Sequence, residues 1–210
     1  MDRSSTGVKA IVSTPTGQKL ILAKQVLITS PPKANLLEFF NLSDKERSLF
    51  SQFNNSAYYT GLLRNTGIPD NTTLVNARPD TEYFLPRLPG SYSIYPTGLP
   101  GLLNVKFGSP SVLSDDTVKG YIISAIRRLG EKGTFPGAGT KEIEFVEFQG
   151  HNPFECTVNA DAIRKGFYKD LYALQGQRAT WYTGAAFHTH DSSMLWEFTE
   201  GIVKKMLACM

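Results

Sequence analysis

Two histidines and an aspartate stand close together near the end of the sequence, at His188, His190 and Asp191. A His-x-His pair on an extended segment projects both imidazoles to one face, which is compatible with a metal site or with acid–base catalysis. A third well-spaced metal ligand is not evident, because His151 lies elsewhere in the sequence. We therefore predict no metal site, and we interpret His188 and His190 as candidate catalytic residues for proton transfer. The simpler alternative is that both are loop residues that hydrogen-bond to the backbone.

A strand, a turn and a helix are predicted around these histidines. Residues 180–183 form a short aromatic, β-prone run, Gly184 follows, and a helix is predicted beyond a polar loop. Where such a helix begins, at Asp191, Ser192 or Ser193, free backbone N–H groups and the positive end of the helix dipole favour an electron-rich oxygen or an anion. The alternative is that one of these residues only caps a helix of the core. The apolar residues with helical spacing are Met194, Leu195, Phe198, Ile202, Val203 and Met206.

The elements that would position this unit have a mixed α and β pattern. Alternating apolar and polar residues over 8–30 predict a three-stranded β-meander, which Pro31 and Pro32 end. Ser43 and Glu46 form a capping box, which predicts a helix over about 43–53. The other predicted elements are strands at 58–63, 83–85, 92–95, 102–107 and 142–148, a helix that Asp116 caps and Gly130 ends, and a helix over 160–175.

Composition is that of a globular protein with a sizeable core. The chain has 210 residues, of which 41% are hydrophobic and 20% are charged, and a net charge of +3 with scattered lysines and arginines. This pattern shows no nucleic-acid footprint. No apolar run approaches the length of a membrane span, and the first residues are not a secretion signal, so we expect a cytoplasmic protein without a membrane partner. Cys156 and Cys209 have neither metal-ligand nor disulfide-framework spacing.

Four stretches of the sequence resemble one protein family. Residues 184–196, Gly-Ala-Ala-Phe-His-Thr-His-Asp-Ser-Ser-Met-Leu-Trp, resemble the C-terminal flavin-contacting motif of the FAD-dependent amine oxidase superfamily. They are close to the fungal variants typified by β-cyclopiazonate dehydrogenase. Residues 26–32, Val-Leu-Ile-Thr-Ser-Pro-Pro, look like the strand and Pro-Pro turn with which such proteins re-enter the FAD domain, and residues 58–67 and 166–176 are also similar to that group. The resemblance covers nearly the whole chain.

The resemblance implies a fold and a set of site residues. The fold would be α+β, the C-terminal part of a two-domain flavoprotein, with residues 1–40 and 175–210 as the remnant of the FAD-binding domain. Residues 41–174 would form a mixed-sheet substrate-binding domain. Trp181 and Tyr182 would line the substrate cavity, although residues of these types are also common in the core of a strand. The residues that the family motif assigns to the flavin ring of FAD are Gly184, Ala185, Ser192, Ser193 and Met194, with the amides of the last two facing the pyrimidine carbonyl.

Three positions depart from the family pattern. Most flavin amine oxidases have an acidic residue two positions after the motif glycine, where this chain has Ala186. They place an aromatic residue before the flavin near the start of the last helix, where this chain has Met194. The strand at 58–64 also carries no lysine of the kind that holds a water near flavin N5. These departures argue against amine oxidation by the usual arrangement.

A dinucleotide-binding βαβ unit is not found in the sequence. Gly137 and Gly139 suggest a fingerprint, but Glu142 stands where the third glycine belongs and no strand precedes a helix there. The pyrophosphate-binding part of an FAD site would therefore be missing. Three explanations of the missing part stay open. The chain is an incomplete piece of a full oxidoreductase, it pairs with a separate N-terminal FAD-domain chain, or it is a natural truncation.

The predicted function is that of a truncated FAD-linked oxidoreductase, amine oxidase- or dehydrogenase-like, acting on a small-molecule substrate of secondary metabolism. One alternative is a cofactor-free cyclase or isomerase that uses the retained substrate cavity by proximity and general acid catalysis. The other alternative is an inactive remnant.

Overall fold

The protein, analysed as a computed structural model, is described over residues 1–33 and 37–209. Residues 34–36, which belong to the predicted segment 1–40, lie outside this description. The chain forms two compact units. The first consists of Met1–Asn54 and Glu155–Met210, and the second of Asn55–Phe154. Within the described ranges, no helix is both long and apolar enough to span a membrane.

An antiparallel sheet of three strands begins the first unit. Its strands are β1 (Asp2–Ser4), β2 (Gly7–Thr14) and β3 (Gly17–Ala23), and β2 is the central strand. The predicted meander over 8–30 is therefore correct for β2 and β3 but wrong for its third strand. The third strand of this sheet is instead residues 2–4, which pair with β2, whereas the prediction placed the strand before Pro31 beside β3. Alternation along a strand shows which face is buried, but it does not show which strand lies alongside.

The strand before Pro31 instead pairs with a strand from the far end of the chain. This strand, β4 (Val26–Ile28), runs parallel to β10 (Thr180–Tyr182), with Trp181 opposite Leu27. Its Val-Leu-Ile sequence is apolar throughout, as is typical of strands buried in parallel pairs. The pairing places Gly184, where the stretch 184–196 begins, beside Thr29 of the stretch 26–32. The two most characteristic stretches of the sequence therefore meet at this turn.

Four α-helices are found among the described residues of the first unit. They are α1 (Asp44–Phe50), α3 (Ala160–Arg164), α4 (Phe167–Tyr172) and α5 (Ser192–Ala208). The capping box at the start of α1 is confirmed, since Ser43 and Glu46 satisfy each other's backbone amides. The single helix predicted over 160–175 is wrong, because Gly166 has a left-handed conformation with φ of 89° and separates α3 from α4. The core between these elements consists of Ile28, Leu37, Phe40, Leu42, Leu49, Phe50, Phe53, Phe167, Leu171, Leu174, Tyr182, Ala186 and Phe187.

The second unit is a five-stranded sheet with one long helix. The strand order is β6-β7-β8-β5-β9, and the helix is α2 (Asp115–Glu131). Val118, Ile122 and Ile126 lie on one face of α2 and are completely buried in the core of the unit. The strands are β5 (Asn54–Arg64), β6 (Leu74–Val75), β7 (Gly90–Pro96), β8 (Leu103–Ser109) and β9 (Glu144–Thr157).

Two predictions in this unit are wrong in detail. The strand predicted at 83–85 is a short turn, Glu82–Phe84, in which Tyr83 and Phe84 have positive φ and are exposed. Ser114 rather than Asp116 caps α2, and the helix runs past Gly130 to Glu131. A side chain at Gly130 would place its Cβ 2.3 Å from the carbonyl oxygen of Ala138. This glycine is therefore needed for close packing and not for ending the helix.

The predicted domain boundaries differ from the compact units. The prediction joined 1–40 to 175–210 and gave 41–174 to a second domain, whereas the units place α1, α3 and α4 with the terminal segments. In both divisions, one part consists of the two terminal segments and the other part is the stretch of sequence between them. The assignment of one part to FAD and the other to substrate stays a prediction.

A buried ion pair lies at the centre of the first unit. Arg3 Nη1 and Nη2 donate to Glu46 Oε1 and Oε2 over 2.8 and 2.9 Å, and the Tyr182 hydroxyl donates to Glu46 Oε1 over 2.5 Å. The exposed fractions of Arg3 and Glu46 are only 5% and 2%. Burial alone would raise the pKa of Glu46, but the hydrogen bonds from Arg3, Tyr182 and the Ser43 amide outweigh it and hold this pKa at about 2. Burial and the hydrogen bond to Glu46 raise the pKa of Tyr182 far above its ordinary value.

Replacing Glu46 by glutamine is expected to lower the free energy of unfolding by about 3–5 kcal/mol at neutral pH, because the buried guanidinium of Arg3 would lose its counter-charge. Urea unfolding followed by tryptophan fluorescence measures this change, since both tryptophans, Trp181 and Trp196, belong to the first unit. The control is Asp80→Asn, which removes an exposed carboxylate and should change stability little. An E46Q variant that unfolds at the wild-type urea concentration would contradict the buried pair.

The same carboxylate predicts how stability changes with pH. Its pKa is about 2 in the folded chain, against 4.5 for an ordinary glutamate. Because the folded value is the lower one, the contribution of Glu46 is complete above about pH 4.5 and is lost as the pH falls towards about 2. The difference corresponds to about 3 kcal/mol. Urea midpoints measured across this range should fall more steeply for the wild type than for E46Q, and parallel curves would show that Glu46 titrates normally.

A glycine turn connects β10 to the loop before α5. The amide of Thr183 donates to the carbonyl of Ile28 over 2.9 Å, which extends the pairing of β10 with β4. Gly184 then has φ of +112°, and a Cβ on it would lie 3.2 Å from the carbonyl oxygen of Thr29. Both the backbone conformation and the close neighbour therefore require glycine here.

Gly184→Ala is expected to destabilise the first unit by about 1–3 kcal/mol, because alanine rarely adopts this backbone conformation. The control is Gly201→Ala in α5, where a Cβ would meet open space. That change should stabilise the unit by up to about 1 kcal/mol, since alanine favours a helix over glycine. Urea unfolding of the two variants should therefore shift in opposite directions. Equal shifts would mean that the turn does not constrain the chain.

Candidate functional site

Asp191 caps the helix that the sequence analysis singled out. Its Oδ1 accepts hydrogen bonds from the Met194 amide over 2.9 Å and from the Ser193 hydroxyl over 2.6 Å. The hydrogen bond from the Met194 amide, and to a smaller extent that from the Ser193 hydroxyl, holds the pKa of Asp191 below its usual range. The strand–turn–helix prediction is thus confirmed, with Asp191 as the cap residue. The Met194 amide, however, is already occupied.

The capping carboxylate changes what this helix end can bind. A negative charge at the first turn offsets the positive end of the helix dipole, so that an electron-rich ligand atom competes with Asp191. Ser192 is the first residue of α5, and Asp191, Ser192, Ser193 and Met194 are all exposed. The residues of the first turn are therefore exposed, while the Met194 amide, which was predicted to donate to a ligand, donates to Asp191.

The turn after β10 holds its residues in a fixed arrangement. The Phe187 amide donates to Gly184 O over 3.0 Å, and the His188 amide donates to Ala185 O over 3.3 Å. The Tyr172 hydroxyl donates to Phe187 O over 2.8 Å and so ties the turn to α4. Gly184 and Ala185 are half-buried. Their backbone is accessible in part, as the family motif requires for contact with a flat ring.

The two histidines have different surroundings. The His188 ring is exposed and stacks on Phe198 of α5, with ring centroids 4.9 Å apart and an angle of 12° between the planes. It lines a cleft of about 460 Å³ along α5, together with Met194, Glu197 and Lys205. His190 is also exposed but does not line this cleft. The structure thus brings His188 close to Met194.

Metal-ligating side chains do not gather around these histidines in the described part of the chain. Among residues 1–33 and 37–209, no group of three or more His, Cys, Asp or Glu side chains is placed to hold a metal ion.

Trp181 and Tyr182 are packed as core residues. Trp181 is 6% exposed and its indole N–H donates to Gln25 Oε1 over 2.6 Å. The Tyr182 ring stacks on Phe187 at 5.3 Å, and its hydroxyl donates to Glu46. This packing agrees with the alternative weighed from the sequence, that both are core residues of a strand. Their predicted part in lining a substrate cavity stays a prediction.

Sequence reasoning missed the side chains that hold β10 in place. Arg3 was not singled out, because its partners Glu46 and Thr180 are far away in the sequence. Gln175 was also missed: its Nε2 donates to Tyr182 O over 2.7 Å, and its Oε1 accepts from the Tyr182 amide over 2.8 Å. A glutamine that binds both backbone groups of a strand residue substitutes for a neighbouring strand. No local pattern would have indicated either contact.

The glycines at 137 and 139 have a structural role. A Cβ on Gly67 would lie 1.8 Å from Gly137 O, and the Gly139 amide donates to Thr66 O over 2.9 Å. Two loops of the second unit therefore approach backbone to backbone, which only glycine permits. This agrees with the rejection of these glycines as a dinucleotide fingerprint.

A flavin ring fits some of the predicted residues better than others. Gly184 lacks a side chain that would cover its backbone, and the start of α5 is exposed at Ser192 and Ser193. These features suit a planar ring with carbonyl oxygens at its edge. The Met194 amide fits less well, because it already donates to Asp191.

Comparison with known proteins gives relatives over nearly the whole chain. The FAD-dependent oxidoreductase oblC of Cochliobolus heterostrophus is 40% identical over 97% of this chain and 43% of its own length. The beta-cyclopiazonate dehydrogenase of Aspergillus flavus is 35% identical over 98% of this chain and 45% of its own length. No family model matches the sequence. The chain thus spans less than half of the length of these curated relatives.

Solved structures show a similar fold. A crystal structure of a CLA-producing fatty acid isomerase from P. acnes aligns with a TM-score of 0.71 and 16% identity, over 94% of this chain and 44% of that one. At this identity the likeness concerns the fold alone. Together with the sequence relatives, it agrees with a partial two-domain flavoprotein of the α+β class. The sequence relatives of this chain are thus fungal FAD-dependent oxidoreductases, among them beta-cyclopiazonate dehydrogenase, and the chain matches the C-terminal part of those proteins.

Proposed function

We propose that this chain forms the C-terminal part of an FAD-linked oxidoreductase that acts on a small-molecule substrate of secondary metabolism. The observation that carries the proposal is the parallel pairing of β4 with β10. It joins the two motifs that resemble FAD enzymes and directs the turn at Gly184 towards the start of α5. The 40% identity to an FAD-dependent oxidoreductase supports the same function.

In this proposal the flavin lies against the turn and the start of α5. Gly184 presents backbone without an intervening side chain, Ala185 adds only a methyl group, and the amides of Ser192 and Ser193 donate to electron-rich atoms of the ring edge. Met194 contributes its side chain, since its amide caps the helix through Asp191. When bound, the flavin supplies the hydride-accepting chemistry. The chain's own contribution is to orient the ring and to hold hydrogen-bond donors at its edge.

Proton transfer is assigned to the two exposed histidines. His188 is held by its stacking on Phe198, so its ring has a defined orientation beside the cleft along α5. His190 is the second candidate. A substrate that loses a hydride also has to give up a proton to a neighbouring base. Imidazole is a suitable base for this step at physiological pH. Trp181 and Tyr182 would contribute to substrate binding through the strand they belong to.

The first unit has an exposed apolar surface that fits a protein partner. Ile11, Leu20 and Leu22 are large apolar residues on one face of β2 and β3, and 56–72% of each is exposed. Apolar patches of this kind on a sheet are normally covered. We propose that the region of the relatives that this chain does not match covers this surface, either as part of a longer polypeptide or as a separate chain. From the family resemblance we expect that region to contain a dinucleotide-binding domain.

Flavin binding tests the proposal directly. The chain alone, and a chimera in which it replaces the matched part of oblC, would be titrated with FAD while flavin absorption and fluorescence quenching are recorded. We expect binding by the chimera, because it also contains the region that this chain does not match. Ser192→Pro should weaken binding by up to about tenfold, since proline is well tolerated at the first helical position but removes the amide donor.

A proline at the start of another helix provides the control. Asp115 is the first residue of α2 and belongs to the second unit, so Asp115→Pro makes the same backbone change away from the proposed site. It should leave FAD affinity unchanged. A chimera that folds but stays colourless would overturn the function, and a colourless chain that converts a substrate would favour the cofactor-free cyclase or isomerase. Equal FAD affinity in S192P and wild type would overturn the role of α5.

A further inference from the structure

A second cleft is lined only by residues of the second unit, whereas the residues assigned to the flavin belong to the first. It has a volume of about 410 Å³, which is in the range of small-molecule sites. The edge strand β6 and its neighbour β7 form one wall, and the C-terminal half of α2 forms the other. We propose that this cleft binds a small carboxylate with an apolar body, and that Arg128 and Lys132 hold the carboxylate.

The walls of the cleft suit an apolar ligand body. Leu74 and Ile94 are paired across β6 and β7, and Val75 lies beside them. Ala125 and Leu129 face them from α2. Leu129 and Ala125 are half-buried, so that a ligand would remove further apolar surface from water.

Two cations stand on the same face of the helix as these apolar residues. Ala125, Arg128, Leu129 and Lys132 recur at spacings of three and four, which places them along one side of α2. None of the ion pairs found among the described residues includes Arg128 or Lys132. Two unneutralised cations beside an apolar cleft are complementary to one anionic group on an apolar molecule.

A buried hydroxyl provides an independent observation. Ser91 lines the cleft, and its Oγ is buried without a hydrogen-bond partner among the described residues. Burying a hydroxyl without a partner costs free energy, so that such groups in folded proteins call for an explanation. The register of β7 with β8 shifts between Ser91 and Ser93, and bulges of this kind often turn a side chain towards a binding site. A ligand acceptor in the cleft would satisfy this hydroxyl.

A simpler role for the two cations has to be separated from ligand binding. Arg128 lies in the last turn of α2 and Lys132 caps its C-terminal end, where positive charge stabilises a helix through its dipole. That role would change stability when the charges are removed, but it would not make any anion bind. It also leaves the unpartnered Ser91 hydroxyl unexplained.

The experiment uses 4-(trifluoromethyl)phenylacetate as the probe and its neutral amide as the matched compound, with binding to the 210-residue chain followed by fluorine NMR. The acid is expected to bind at least about tenfold more tightly than the amide, because only the acid carries the charge that the cations recognise. Amide shifts of the protein should be confined to the lining of the cleft. Inorganic phosphate should not displace the acid, since it lacks an apolar body.

Charge-matched variants locate the site. Arg128→Gln combined with Lys132→Gln should weaken binding of the acid at least about tenfold, whereas Arg127→Gln with Lys141→Gln, which removes two exposed cations outside the cleft, should not. Ser91→Ala should weaken binding without lowering the melting temperature of the ligand-free chain, because it removes an unpartnered hydroxyl. Equal affinity for acid and amide, equal weakening in both charge variants, or displacement by phosphate would each overturn the proposal. A failure of the FAD experiment would leave it untouched.

Discussion

A buried ion pair between Arg3 and Glu46 holds the first unit together. Arg3 comes from the first strand, Glu46 from the first turn of α1, and the Tyr182 hydroxyl bonded to the same carboxylate comes from β10. Arg178 approaches the other carboxylate oxygen at 3.5 Å. Since an unpaired charge in this environment would be very costly, the three elements can only be buried together. This carboxylate therefore fixes β10, and with it the turn at Gly184, together with the pairing to β4 and the bonds from Gln175.

Glu46 has two structural tasks at once. Its Oε2 accepts the Ser43 amide, which fixes the start of α1, while the same group neutralises Arg3. A capping box on the surface needs only the first of these contacts. Here the cap has been drawn into the core, so that a local signal for a helix start is also a long-range contact. The low pKa of Glu46 follows from this arrangement, because several donors converge on one carboxylate.

The start of α5 shows a balance between stabilising a helix and binding a ligand. Asp191 satisfies the Met194 amide and so stabilises the helix by itself. The same carboxylate lowers the capacity of that helix end for an electron-rich partner. Ser192, two positions before Met194, is an exposed residue. In the proposed flavin site, the donors are therefore at the first residues of α5, ahead of the amide that the family motif suggested.

The sequence alone determined the elements whose signals are local. The capping box at Ser43, the helix after Asp191 and the strands at 58–63, 92–95 and 102–107 are all present, and the motif at residues 184–196 already indicated the family. Only the tertiary structure decided the pairing of β4 with β10, the burial of Arg3 against Glu46, and the break at Gly166. These features join residues far apart in the chain, or depend on a backbone conformation set by packing. A residue pattern along one segment carries no information about which distant segment will lie beside it, because that choice is made by the free energy of the whole folded chain.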